Sequence, residues 1–383
     1  MKRLLHYSRD FKSYLNQGCF FSFLNKFFDL APPLLIGMAV DVVIDPSRGY
    51  FASYGFPSMM EQLYLLAFLT IVVWVLESIF EYLYQLRWKN LAQKIQHKLR
   101  VDTYSQVQKI EMSYFENQST GNLVSTLNDD INQLERFLGH GFNDLIQVGS
   151  TVLIVGAVFF YISPLIASVS FVPIPFILWG SFYFQRKIQP RYSLVRAEAG
   201  LLSSIISNNL SGMSSVKSYL AESFETKLLE KQSLAYQRAN SDAIKIASSF
   251  SPLIRMVVLS GFIAAMIIGG YQVSDGLLGV GAYSVLVNMT QRLLWPLTRL
   301  GETFDLLQRA MASTERVFKL LDTKVKVVEG SKTILPSDIK GNIKFDGVHF
   351  SYEGRDAILR GLSLEVKSGQ TIGLVGATGA GKS

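Results

Sequence analysis

Cysteine is almost missing from this 383-residue chain. Cys19 is its single cysteine, so no intrachain disulfide can form and no cysteine cluster can hold a metal. Cys19 itself reads as a small apolar residue within a helix. Charge is scarce as well: Asp, Glu, Lys and Arg make up 17% of the residues, where soluble globular chains sit near ~25%. With 49% hydrophobic residues and a mean hydropathy of +0.25, the composition points to a membrane protein. The net charge is +7, yet no Lys/Arg-rich run of the nucleic-acid-tail type is present, and no nucleic-acid partner is expected. In an apolar chain a basic excess belongs instead to cytoplasmic loops. No small-residue cleavage site follows the first apolar stretch, which therefore reads as a retained helix and not as a removable signal peptide.

Six apolar segments are present, roughly 18–44, 60–87, 140–162, 165–185, 246–271 and 276–298. Each is long enough to cross ~30 Å of hydrocarbon at ~1.5 Å per residue. The first carries Lys26 and Asp29, the second Glu77 and Glu81, the fifth Arg255, and the sixth Asn288 and Arg292. Such groups belong in a bundle interior or a cavity. They are candidates to line such a cavity. Arg255 or Lys26 pairing with a carboxylate, or Glu81 and Arg292 reaching the interface, is the plainer role for each.

The connections alternate in length. Segments three and four are joined by Ser163–Pro164, and five and six by a few residues around "VSDG" (Val273–Gly276). Residues 88–139 and 186–245 are long, polar and basic, with Lys89, Lys94, Lys98 and Arg100 in the first and Arg186, Lys187, Arg191 and Arg196 opening the second. The positive-inside rule places both, and the two termini, in the cytoplasm. Few Pro or Gly interrupt them, so each reads as a helix leaving the membrane, a short turn and a helix returning. The turns fall near Glu116–Ser125 and Asn208–Tyr219. Helical character continues through Leu300–Asp322, Thr323–Gly341 reads as a linker, and strand-like alternation begins at Asn342. The domain division is thus 1–322, 323–341 and 342–383.

The last eight residues are "GATGAGKS", a match to G-x-x-x-x-G-K-[ST]. Its glycines let backbone N–H groups curl around a β-phosphate, Lys382 supplies an ammonium for the β/γ-phosphates, and the Ser383 hydroxyl suits Mg²⁺. The candidate ATP-binding residues are Gly376, Ala377, Thr378, Gly379, Ala380, Gly381, Lys382 and Ser383. "TIGLV" (Thr371–Val375) is expected as the buried strand that feeds the loop.

Taken together, six spans, two long cytoplasmic connections and a P-loop resemble an ABC exporter half-transporter over nearly the whole chain. "SYFENQSTGNLVSTLNDDI" (Ser113–Ile131) and "SGMSSVKSYLAE" (Ser211–Glu222) are similar to the family's two coupling-helix regions. "GGYQVSDGLLGVGA" (Gly269–Ala282), "WPLTRL" (Trp295–Leu300) and "STERVFKLLD" (Ser313–Asp322) resemble its last external turn, sixth helix and exit to the nucleotide-binding domain.

The resemblance implies a mainly α fold: a six-helix exporter domain with cytoplasmic extensions, then the first strands of an α/β nucleotide-binding domain. It implies ATP and Mg²⁺ as cofactors, with Tyr352 in "VHFSYEG" stacking on adenine. It further implies a second half-transporter as partner, in a homodimer or heterodimer, within a lipid bilayer, and export of an amphipathic or hydrophobic substrate (lipid, drug or peptide). The bacterial plasma membrane is the expected compartment. The family's glutamine loop, signature loop, Mg²⁺ and water carboxylates and switch histidine have no counterpart here. No catalytic residue is therefore assigned, and the chain is expected to be an inactive fragment of a longer ATPase. The alternative is the ATP-binding, hydrolysis-deficient partner of a heterodimer.

Overall fold

The computed structural model describes residues 2–116, 118–325, 330, 333–351, 357–377 and 382. The chain divides into two compact units, Met1–Arg100 with Asp129–Arg316, and Val101–Asn128 with Val317–Ser383.

Eight longer helices carry the fold. They are α1 (Lys12–Asp29), α2 (Ala31–Ile44), α3 (Met59–Lys109), α4 (Phe142–Ile162), α5 (Pro173–Ser211), α6 (Glu222–Ser274), α7 (Val280–Leu297) and α8 (Leu300–Leu321). Two of the expected spans are broken by proline. The first bends at Leu30, where Pro32 and Pro33 occupy the opening turn of α2; proline is tolerated there because those N–H groups have no intrahelical partner. The fourth begins as a short helix, Pro164–Phe171, and continues as α5 after Val172. Ser163 turns the chain between the third and fourth spans. Its backbone is extended, and its hydroxyl accepts a hydrogen bond from the Ile166 N–H, an N-cap.

Among the described residues five helical runs are long and apolar enough to cross a membrane: Arg9–Ile44, Met59–Lys109, Thr120–Ile162, Pro164–Ser211 and Glu222–Ser274. The expected sixth, α7, falls short of that test. Asn288, Gln291 and Arg292 lower its hydropathy, because α7 lies inside the bundle and needs only one apolar stripe. Val285, Leu286, Met289, Leu293, Leu294 and Leu297 form that stripe. It packs into a core with Phe159, Ile166, Ile177 and Ala265. Cys19 is a half-buried free thiol in α1.

Between α2 and α7 the backbones nearly touch. A Cβ placed on Gly281 would collide with the Gly37 carbonyl oxygen and the Asp41 carboxylate. Small residues at such crossings are how membrane helices gain close van der Waals contact without a hydrophobic drive. Asp41 also accepts a hydrogen bond from the Gly281 N–H at 2.7 Å, satisfying one of the free donors that open α7.

The long connections form as expected. Helix α3 has 51 residues, about 75 Å at ~1.5 Å each. Its return passes through Met112–Glu116 and Thr120–Ser125. Two π-helical turns, Thr126–Asp130 and Phe137–Gly141, then lead into α4. The second reversal runs from Ser211 through Met213–Ser218 to Glu222.

Near the C-terminus β1 (Ile343–Phe350) pairs antiparallel with β2 (Leu359–Val366), Ile343 opposite Val366 and Phe350 opposite Leu359. The register slips around Gly347, whose φ is 57°, the conformation of a glycine bulge. The strand expected at Thr371–Val375 does not form. Residues 371–377 have no regular structure, and Leu374 and Val375 are exposed. A buried strand of this kind needs partners along both edges and cover on both faces; among the described residues β1 and β2 pair only with each other.

Candidate nucleotide site, reversals and membrane charges

Of the nine candidate nucleotide residues, the structure describes Gly376, Ala377 and Lys382. Tyr352, Thr378, Gly379, Ala380, Gly381 and Ser383 lie outside the described residues. The Lys382 ammonium donates to the carbonyl oxygens of Gly376 at 2.5 Å and Ala377 at 2.9 Å. The Lys382 cation thus stands against the first two residues of the motif. This donor set fits a phosphate: a single ammonium, on an exposed segment, beside small residues whose backbone a ligand can approach.

The first reversal is built in the same unit. Val107 and Ile110 at the end of α3 bury against Leu320 of α8, with Tyr114, Phe115 and Leu123 packed around them. The Gln106 amide donates to the Thr323 carbonyl at 2.7 Å. The aromatic pair that the sequence singled out therefore clamps the turn to the helix that leads to the P-loop segment. The second reversal carries Tyr219 and Leu220 at its tip, both more than four-fifths exposed. Leu220 has φ 51°, a left-handed conformation that a branched residue adopts only where the turn demands it.

Asp130, on the first π turn, is nearly buried. It accepts from Arg316 Nε at 2.8 Å, from Arg316 Nη2 at 2.5 Å and from Ser313 Oγ at 2.8 Å. The fork-shaped donor set and the carboxylate match in geometry, and the carboxylate pushes the Arg316 guanidinium pKa up. This tie joins the returning limb of the first connection to α8.

At membrane level the structure sorts the candidate charges. Asp29 bridges two cations: Lys26 Nζ stands 2.7 Å from one oxygen and Arg292 Nη1 2.7 Å from the other. Arg292 thus crosses to α1. Glu77 is half-buried, and its backbone carbonyl accepts from the Asn25 amide of α1 at 3.1 Å. Glu81 accepts from Gln85, and Asn288 donates to the Ser284 carbonyl in its own helix. Among the described residues Arg255 pairs with a ring and with no carboxylate, its guanidinium 5.8 Å from the Trp295 centroid.

The profile of the ABC transporter transmembrane region matches residues 15–297. The chain belongs to the ABC transporter family. An uncharacterised ABC transporter ATP-binding protein of Bacillus subtilis, YknU, is 28% identical over 82% of this chain and 54% of its own length. A fatty acid ABC transporter ATP-binding/permease protein of Mycobacterium tuberculosis is 28% identical over 78% of this chain and 47% of its own. An ATP-dependent lipid A-core flippase of Syntrophus aciditrophicus is 22% identical over 82% and 52%. The chain spans about half the length of these curated relatives. Its helices match the exporter-type membrane domain, followed by the first strands of a nucleotide-binding domain.

Three polar features of this ABC transporter chain escaped the sequence reading. They are the Asp41 cap, the Asp130–Arg316 tie and a buried relay in which Trp88 donates to Ser22 at 2.9 Å and Ser22 to Asn143 at 2.7 Å. Each joins residues far apart in the chain. For Asp41 and Ser22 the available signal was a polar residue inside or at the end of an apolar run; Asp130 lies in a polar stretch and gave none.

Proposed function

We propose that the whole protein is a half-transporter that uses ATP to export an amphipathic or hydrophobic substrate. The carrying observation is the joining, in one chain, of a matched ABC membrane region and a G-x-x-x-x-G-K-S loop. The names of relatives support the substrate class: one is a fatty acid transporter, one a lipid A-core flippase and one a multidrug resistance-like protein. In this proposal residues 1–322 form the membrane domain, 323–341 the linker and 342–383 the opening of the nucleotide-binding domain. Tyr352 stacks on adenine, the backbone of Gly376–Gly381 cradles phosphates, Lys382 neutralises them and Ser383 meets Mg²⁺. ATP supplies the free energy of its hydrolysis when bound.

A second half-transporter, identical or not, completes each nucleotide site. The exposed tip at Tyr219 and Leu220 and the clamped turn at Tyr114 and Phe115 are the surfaces through which nucleotide-domain movement reaches the membrane helices. Both reversals and both termini lie in the cytoplasm of a bacterial cell, at its plasma membrane.

The test is transport in proteoliposomes containing the whole protein. A fluorescent amphiphile is expected to move only with ATP and Mg²⁺, and Lys382→Ala is expected to lower the rate at least ~100-fold, as loss of a phosphate-stabilising cation does. Transport that persists in Lys382→Ala, or that needs no nucleotide, would sink the proposal.

A further inference from the structure

Residues 82–101 hold five Lys or Arg and no Asp or Glu. They lie on α3 where its apolar run gives way to polar chain. The N-terminal segment packs beside them, antiparallel to α3, and Asp10 is its only acidic residue before Asp29. Gly18 of α1 meets the buried Trp88 ring. One turn earlier in the chain, Tyr14 meets two cations of α3. Lys94 donates to its hydroxyl at 2.6 Å, and the Arg87 guanidinium stands 5.6 Å from its ring centroid. Beyond them Lys98 pairs with Asp10 and stands over the Tyr7 ring. These contacts set a ladder of cations along α3 with a single acid to answer it.

Most of that charge is left without a counter-charge. Among the described residues Arg9, Lys12, Arg87, Lys89 and Lys94 have no carboxylate partner, and all but the half-buried Arg87 are exposed. An ammonium has three N–H groups, and Lys94 commits one of them to Tyr14. The Tyr14 hydroxyl accepts that bond and keeps its own hydrogen to donate. Lys94, Tyr14 and Arg87 therefore present donors around one ring. An anion with several oxygens completes such a set, because charge-assisted hydrogen bonds are the strong ones.

The level of the group on the helices says what carries the anion. Arg87 closes the apolar run of α3 and Lys94 lies seven residues on, ~10 Å along the helix, which is comparable with the ~5–8 Å depth of one headgroup layer. In the other direction, towards the hydrocarbon, Phe20 of α1 and Leu86 of α3 are exposed. A phosphate with acyl chains attached matches both levels; a free phosphate matches one. We propose that this surface binds the headgroup phosphate of an anionic phospholipid such as phosphatidylglycerol. Lys94, Tyr14 and Arg87 hold the phosphate, and Arg9, Lys12 and Lys89 add their field around it. A zwitterionic headgroup is disfavoured, since its own cation would stand against this ladder. The inference needs α1 and α3 to span a bilayer and does not depend on ATP-driven export.

The experiment is photolabelling of the full 383-residue chain in phosphatidylcholine nanodiscs, without nucleotide. The probe is phosphatidylglycerol with a diazirine beside the headgroup, compared with phosphatidylcholine bearing the same diazirine. The anionic probe is expected to label peptides covering residues 7–18 and 87–98 at least ~5-fold more than the zwitterionic one, the size of one juxtamembrane charge. The double variant Arg87→Gln/Lys94→Gln is expected to lower that labelling at least ~5-fold, Tyr14→Phe ~2–3-fold and Lys94→Arg less than ~2-fold. Thermal unfolding of each variant confirms that it is folded. The triple variant Arg186→Gln/Lys187→Gln/Arg191→Gln removes more charge from the second basic stretch and is expected to leave this labelling unchanged. Equal labelling by the two probes overturns the proposal. So does labelling that Arg87→Gln/Lys94→Gln leaves unchanged in folded protein, or that the triple variant lowers as much, which would mark diffuse charge and not a site. Millimolar inorganic phosphate at constant ionic strength is expected to leave labelling intact; its loss would assign the surface to free phosphate and overturn the lipid. Because no ATP is present, failure here leaves the export proposal standing, and failure of ATP-driven transport leaves this binding intact.

Discussion

Asp130 shows how one side chain can carry a junction. It is 10% exposed and takes three hydrogen bonds, two of them from a guanidinium that is itself more than half exposed. Solvent around Arg316 screens the pair, so the junction is worth less than a fully buried one. Asp130→Ala is expected to destabilise the chain by about 2 kcal/mol, since it also strands Ser313. Ser313→Ala is expected to lose about 1 kcal/mol. Thermal unfolding in detergent checks both. If Asp130→Ala and Arg316→Ala prove additive in the double variant, the two residues do not act as a pair. The sequence could not announce this contact. Asp130 sits in a polar stretch with Asn128 and Asp129 beside it, and Arg316 is 186 positions away. Only the π turn at Thr126–Asp130, which shifts the side chains that follow it, aims this one carboxylate at α8.

Among the elements, the two reversals differ in how they are held. The first is clamped by an apolar cluster; the second depends on short polar contacts at an exposed tip. Lys217 Nζ stands 2.9 Å from Glu222. That hydrogen bond, with the lysine charge, holds the Glu222 carboxyl below its usual range. A carboxyl with a depressed folded pKa stabilises the turn above its unfolded pKa, and the gain is lost as pH falls through the folded value. Protection of residues 216–222 from hydrogen exchange, measured relative to the intrinsic rate at each pH, is therefore expected to fall on acidification below the ordinary carboxylate range. Glu222→Gln is expected to remove that dependence. A profile identical in both proteins would show that the contact does not hold the turn. The helices on either side were legible from composition and spacing, because long runs without Pro or Gly leave few other states. The strand at Thr371–Val375 was equally legible and yet is not formed, since pairing is a property of neighbours and not of the segment.

For the whole molecule the proposed topology has a direct check. Cysteines introduced at Ser53 and Ser119, with Cys19 replaced by alanine, are expected to react with membrane-impermeant reagents from opposite sides of the membrane. Labelling of both from one side would overturn the six-span layout. That layout is also where hydropathy by itself fell short. Five helices pass the apolar test, and the central one, α7, does not. The same polarity that hides α7 from a hydropathy count lets Arg292 reach Asp29, 263 positions away. Proteoliposome transport belongs to this scale too, for it asks what the assembled helices carry.

Sequence by itself determined the local states and their order: apolar runs long enough to span, polar helical returns, a linker, then β character and a phosphate-loop motif. These follow from periodicity, side-chain polarity and backbone freedom, all of which act over a few residues. Tertiary structure decided which polar groups meet. It set Asp41 on the opening of α7, Asp29 between Lys26 and Arg292, and Asp130 under Arg316. Inside a bundle a polar group that its own turn does not satisfy must find its partner across helices, because water is not there to supply one. The distances that decide such pairing are set by helix crossings such as Gly37 against Gly281, which no local pattern encodes.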